Sequence, residues 1–304
     1  MTAANQDHQN LDDVKFGGIV REDVLDKVFD ISRIPLPLTD MIGTGTHTNR
    51  RAEFTTDDLG TPATDNANVD GVDVDQDDSA VGQRVSNFTQ TALKEIQISH
   101  LAQAANSIGS QGKMSYQIAQ TLRRLKRDVE AQMCTSQGSA IGDGLTVPGV
   151  SAGLGAWIAT NYTSMTDGVV GGFNEDTGVI AAPTIGTTAG ALTETAIRDT
   201  VQAVYEAGGE AKVLMGTPTL IRRISEYLFT TNARVADMVN DNAMGTEPMT
   251  AYGASMTFVT EFGVLKLVPN RLQPTEGVGI STLYVLDPSH LRISYMRGYR
   301  VEPL

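Results

Sequence analysis

The sequence predicts an α+β protein in which one long helix separates a β-prone first third from a later α/β unit and closing strands. Three observations carry this reading. Ile118, Leu122, Leu125, Val129 and Met133 recur at helical spacing and mark an amphipathic helix over 115–134. From Thr193 the chain alternates helix, strand, helix and hairpin signals. Two β-prone segments, 44–54 and 84–99, flank a block of aspartates.

Residues 1–20 are polar and read as an extended arm. Val24, Leu25, Val28 and Ile31 then fall at helical spacing, and Pro35 and Pro37 are expected to stop that short helix. From 43 to 99 the chain reads as a long two-stranded excursion, threonine-rich on the way out and alternating at Val85, Phe88, Ile96 and Ile98 on the way back. Between the two legs, Asp57 to Asp78 holds eight aspartates and no Lys or Arg, which reads as a solvated loop. A two-stranded ribbon is marginal alone in water.

The 115–134 helix takes Ser115 as its expected N-cap and carries Arg123, Arg124, Lys126 and Arg127 on its polar side. Residues 136–191 are rich in Gly, Ser, Thr and Ala and read as turns and short strands, with Gly153–Asn161 the most ordered piece. Thr193 reads as an N-cap, with Leu192 and Ile197 as a hydrophobic staple, and Gly208-Gly209 as the stop. Lys212–Met215 reads as a buried strand. Thr217-Pro218 opens the next helix, which buries Leu220, Ile224 and Leu228. Strands at 256–260 and 264–268 form a hairpin around Glu261-Phe-Gly263.

Composition narrows the function. The chain has 304 residues, 40% hydrophobic and 19% charged, which suits a globular core rather than a disordered chain. Thirty-six acids against 23 bases give a net charge of −13, which argues against a general nucleic-acid binder and against a binder of anionic membranes. Cys134 is the single cysteine, so no intrachain disulfide is expected. The first eight residues are polar and do not read as a signal peptide, and no apolar run approaches the ~20 residues that span a bilayer.

The chemical motifs fail on their own requirements. Gly112-Lys113 lacks the upstream glycine and the following Ser or Thr of a phosphate loop, where Ser107 and Met114 stand. Asn66, Asn68, Asp70, Gly71 and Asp77 imitate a calcium loop, but the first position is not Asp and the twelfth is not Glu. His8, His47, His100 and His290 have no metal spacing, so no metal or cofactor is expected. Gly153-x-Gly155 lacks the rest of a dinucleotide fingerprint. Cys134 reads as a small hydrophobe. For the four helix bases two readings stay open. They face DNA, or they form a solvated face neutralised by pairs such as Arg124 with Asp128 and Arg127 with Glu130.

Several stretches, taken in order, resemble one group of tailed-phage major capsid proteins with the Hong Kong 97 fold. They are Ser115-Tyr-Gln-Ile-Ala119 through Leu125-Lys-Arg-Asp-Val-Glu130, Gly153-Leu-Gly-Ala-Trp-Ile158, Ala207-Gly-Gly209, Val268-Pro-Asn-Arg271, Val285-Leu-Asp-Pro288 and Glu302-Pro-Leu304. The resemblance covers roughly residues 40 to 304. It implies an N-terminal arm over 1–42, an extended loop over 43–99 and a peripheral domain over 100–185 with the spine helix 115–134. An axial domain over 186–263 and return strands over 264–304 complete the layout.

On this resemblance the chain is not an enzyme. It is a major capsid protein that self-assembles, as pentamers and hexamers of its own copies, into an icosahedral shell around double-stranded DNA. Portal, scaffold or decoration proteins are further expected partners, and a membrane is not. The expected location is the virion capsid, with assembly in the host cytoplasm. Arg123, Arg124, Lys126 and Arg127 are candidate DNA-facing residues, in weak non-specific contact. Arg50, Arg51, Arg84 and Lys94 are candidate inter-subunit loop residues. Lys94 is the only lysine between 44 and 98, so the covalent crosslink of some members is not expected. The alternatives are another virion structural protein, of tail or decoration type, or a soluble α/β enzyme with an unrecognised site.

Overall fold

The computed structural model describes residues 35–57, 60, 62, 64, 65, 67, 69–71, 82–105, 113–163, 168–184, 186, 192–230, 257–275 and 281–303, with backbone alone at 227–230. The expected arm helix at 21–31 and most of the aspartate block lie outside these residues. The chain divides into two compact units. Glu95–Leu122 belongs to the smaller, Ile34–Lys94 and Arg123–Leu304 to the larger.

In the larger unit a short helix α1 (Pro37–Met41) leads into strand β1 (Gly43–Thr46). Pro37 therefore opens a helix instead of only stopping one. Its fixed φ suits a first helical turn, and the amide it lacks has no partner there in any case. The expected strand at 44–54 is two strands. Residues 43–46 pair in parallel with β10 (Arg292–Tyr295), and β2 (Arg51–Thr56) pairs antiparallel with β3 (Gln83–Phe88). The return leg is strand only to Phe88, because Val85, Ser86 and Phe88 are buried and the residues after them are largely exposed.

The smaller unit, among its described residues, holds α2 (His100–Ala104) and the first turns of α3 (Met114–Met133). The Ser99 hydroxyl caps α2 by accepting from the Ala102 amide at 3.2 Å. Helix α3 starts at Met114, and the Tyr116 and Gln117 amides donate to the Lys113 carbonyl. Ser115 thus sits inside the first turn and not at the cap.

After α3, the glycine-rich stretch forms α4 (Leu154–Trp157) and an antiparallel pair, β4 (Gly172–Asn174) with β5 (Val179–Ala181). Ala152, Ala156 and Ile180 close a small core there, with Trp157 and Phe173 packed against it. Helix α5 (Glu194–Glu206) is capped by Thr193, whose hydroxyl accepts from the Ala196 amide at 3.2 Å, and it ends at Gly208, whose φ is +83°. Both ends follow the sequence reading.

Strand β6 (Val213–Gly216) is buried at all four residues. It lies inside a four-stranded sheet of order β7-β8-β6-β9, with β7 (Thr257–Thr260), β8 (Gly263–Pro269) and β9 (Tyr284–Leu286). β6 runs parallel to β8 and antiparallel to β9, and β7–β8 is the expected hairpin. The segments 186–263 and 264–304 therefore share one sheet.

The two faces of that sheet carry two cores, because successive strand residues point to opposite sides. Leu214, Phe258, Leu265 and Leu267 pack with Ile197 and Val201 of α5 and Ile224 of α6 (Pro218–Thr230). Val213, Met215, Tyr284 and Leu286 pack with Leu38 of α1 and with Cys134 just past α3, with Met133, Leu154 and Ile158 alongside. Leu220 is half-buried, and the Leu228 side chain lies outside the described residues.

Candidate functional site

Helix α3 does not present the expected stripe to the core. Leu122, Leu125 and Val129 are half-buried, while Glu130 is the one fully buried side chain of the helix. The residues turned inward lie four apart, Glu130 and Cys134, while Lys126 one turn earlier is exposed. The Lys126 ammonium lies 5.5 Å from the centre of the Tyr299 ring. Cys134 is 1% exposed.

Glu130 acts as a clasp. Its carboxylate accepts from the Leu38 amide at 2.8 Å, the Thr39 amide at 2.9 Å and the Thr39 hydroxyl. The Asn270 side-chain amide donates to it at 3.1 Å. Leu38 and Thr39 stand in the first turn of α1, where helical amides have no partner within the helix. The carboxylate supplies one from a distant helix. A buried carboxylate is tolerated because donors surround it. Asn270 also reaches Cys134 Sγ at 3.3 Å, and the Tyr284 hydroxyl donates to the Cys134 carbonyl at 3.4 Å.

This environment sets the chemistry of the cysteine. Burial first, and then the charge of Glu130, push the Cys134 thiol up to about 12, against the opposing hydrogen bond from Asn270. A thiol held protonated at neutral pH is not a nucleophile. Among the described residues, no group of His, Cys, Asp or Glu is arranged to hold a metal, and no helix is long and apolar enough to cross a membrane.

The four candidate loop bases all bond within their own chain. Arg50 donates to the carbonyls of Ile141 and Gly142. They open a turn that Asp143 braces: the Thr146 hydroxyl first, and then the amides of Val147, Leu145 and Thr146, donate to its carboxyl and hold it below the usual carboxylate range. Arg51 donates to Ser86 Oγ at 3.0 Å and to the Gly178 carbonyl at 3.3 Å, and it lies over the Phe88 ring. Arg84 pairs with Glu53 at 3.6 Å, and Lys94 with Asp128 at 2.5 Å.

The four helix bases remain outward. Arg123, Arg124 and Lys126 are exposed and Arg127 is half-buried. The neutralising pairs expected along the helix do not form as drawn. Asp128 turns to Lys94, and Glu130 turns inward to α1 and Asn270. The acids of the helix's own second half are thus committed elsewhere.

The model of the SU10 major capsid protein family matches residues 2–304. The chain belongs to that family. As a major capsid protein it is a virion structural protein of a bacteriophage, built to assemble with its own copies into a shell. That role suits a molecule whose buried Glu130 ties segments of its own chain together. No curated protein matches the chain.

The clasp of this capsid protein escaped the sequence reading. Glu130 reads from the sequence as a solvated acid paired with Arg127, and its partners are 92 and 140 residues away. The available signal was the clustering of Glu130 and Cys134 on one ridge, off the apolar stripe.

Proposed function

We propose that this capsid protein builds a closed icosahedral shell of the Hong Kong 97 type around double-stranded DNA, its copies joined as pentamers and hexamers. In this reading 1–42 is the arm, 43–99 the extended loop, 100–185 the peripheral domain with the spine helix, 186–263 the axial domain, and 264–304 the return strands. Portal, scaffold or decoration proteins complete the particle, which assembles in the host cytoplasm.

The half-covered stripe on α3 carries the reading. An amphipathic helix of 20 residues normally buries its apolar face, yet Leu125 and Val129 are only half-buried here. A family whose members assemble into shells supplies the missing cover from a neighbouring copy. The loop makes a smaller claim than its sequence suggests, because β3 packs on its own chain. The outer face of β2 remains for a neighbour, with Arg50, Arg51, Arg84 and Lys94 shaping that surface from within. The outward bases Arg123, Arg124, Lys126 and Arg127 face packaged DNA in weak, non-specific contact.

Electron microscopy of the purified protein tests this. Shells or capsomer rings are expected from the native chain, and soluble, folded protomers without shells from Leu125→Glu. Tubes or spikes from the native chain would point to a tail or decoration role, and normal shells from the variant would remove the stripe from the interface.

A further inference from the structure

We infer that the C-terminal segment 292–300 and the outward side of α3 form one phosphate-binding surface for double-stranded DNA. The inference rests on the proposed DNA-facing role of the helix bases and extends it to Arg292, Arg297 and Arg300.

Three observations carry it. The first is composition. Residues 123–127 and 292–300 together hold seven bases and no acid, in a chain of net charge −13. The second is contact. The Lys126 ammonium lies 5.5 Å from the centre of the Tyr299 ring, and Tyr299 packs on Tyr295 with ring centres 5.7 Å apart. This docks the C-terminal segment beside the helix ridge at the level of its bases. Burial in that contact raises the Tyr299 hydroxyl above the usual phenol range. The third is the placing of the acids. Asp128 pairs with Lys94 and Glu130 is enclosed by donors, so neither offsets the basic side of α3. Arg300 pairs with Glu302 at 2.5 Å, but both groups are well exposed, and a pair in water holds its partner weakly. Arg292 and Arg297 are also exposed.

The chemistry favours phosphate. Arginine offers a planar fork that matches phosphate oxygens, and five of the six exposed bases in these stretches, Arg123, Arg124, Arg292, Arg297 and Arg300, are arginine. Nothing in the arrangement reads a base edge. Binding should be independent of sequence and steeply salt-dependent, since each phosphate contact releases condensed counterions.

The test is fluorescence anisotropy of a short blunt DNA duplex of mixed sequence, titrated with the full-length, unassembled chain at several salt concentrations. Two double variants are compared with the native chain, Arg123→Gln/Arg124→Gln and Arg297→Gln/Arg300→Gln. The control is Arg222→Gln/Arg223→Gln on α6, where both bases pair with Glu226. The slope of log affinity against log salt should fall by about 1 for each phosphate contact removed in either double variant and stay unchanged in the control. Loss with the helix pair alone would overturn the inference and leave the helix reading standing. Loss with neither pair would overturn both. A synthetic peptide of residues 57–78 that binds the chain where the duplex does not would reassign the surface to the acidic segment of a neighbouring copy, and so overturn the inference.

Discussion

The Glu130 carboxylate holds the Leu38 amide at 2.8 Å across 92 residues of chain. Removing the carboxylate leaves the first turn of α1 with buried donors and no acceptor. Glu130→Ala should therefore destabilise the protein by about 3 kcal/mol or more, because several donors lose their acceptor at about 1–3 kcal/mol each. Glu130→Gln keeps one acceptor but turns an amide toward donors, and should cost about 1–3 kcal/mol. Urea unfolding of both variants measures the difference, and equal costs would show that shape, not acceptance, matters at this site.

Cys134 reports on the same region, since it is the chain's single thiol. Its ordinary value of 9.0 rises to about 12 in the folded protein. Below pH 9 the thiol is protonated whether folded or unfolded, so its contribution to stability is fully present. Between 9 and 12 only the unfolded thiol ionises, and stability falls as pH rises, by up to about 1.4 kcal/mol per pH unit. Cys134→Ala should flatten this alkaline decline. At neutral pH a thiol reagent should label the native protein slowly and the Glu130→Ala variant much faster.

The half-cover of α3 separates two leucine-size truncations. Ile224 is fully buried against α5 and the sheet, so Ile224→Ala should cost about 2–5 kcal/mol in the isolated protomer. Leu125 is only half-buried, and Leu125→Ala should cost about 1 kcal/mol there, in proportion to the smaller area it withdraws from water. In assembled particles the Leu125 variant should lose further stability and the Ile224 variant should not. Thermal melts of protomers and shells side by side check this.

The root of the β2–β3 ribbon hangs on the Gly178 carbonyl, which accepts from Ser86 Oγ at 3.0 Å and from Arg51. Gly178 has φ +65°, and a side chain there would run into the Arg51 guanidinium. Gly178→Ala should destabilise by about 1–3 kcal/mol through strain in the left-handed region. Ser86→Ala should cost about 1–2 kcal/mol through the lost bonds. Hydrogen exchange at the β2 and β3 amides should quicken in both variants and stay unchanged in α5.

What the sequence made legible was local. The Thr193 cap, the Gly208 stop, the buried β6 and the β7–β8 turn each depend on residues within a few positions of one another, so the chain states them directly. The long helix was legible in extent but not in orientation. Periodicity pointed to Leu122, Leu125 and Val129, whereas the core receives Glu130 and Cys134, because the partners that satisfy Glu130 lie far away in sequence. The break at 47–50 was invisible for the same reason: Gly43–Thr46 is a strand only because β10 accepts it as a partner. The basic side of α3 was plain, but the commitment of Asp128 to Lys94 was not.

The pairing of β1 with β10 also dictates an order of events during synthesis. Gly43 leaves the ribosome long before its partner Arg292, which follows 249 residues later. Until then β1 has no strand to join, although Glu130 can already grip Leu38. Contacts this distant along the chain are the slowest to close. β1 therefore stays without its partner until those residues are made, and only a chain translated through Tyr295 can complete the pair. Polysomes translating one message would thus crowd many unfinished copies together without giving any of them a completed edge to offer its neighbours.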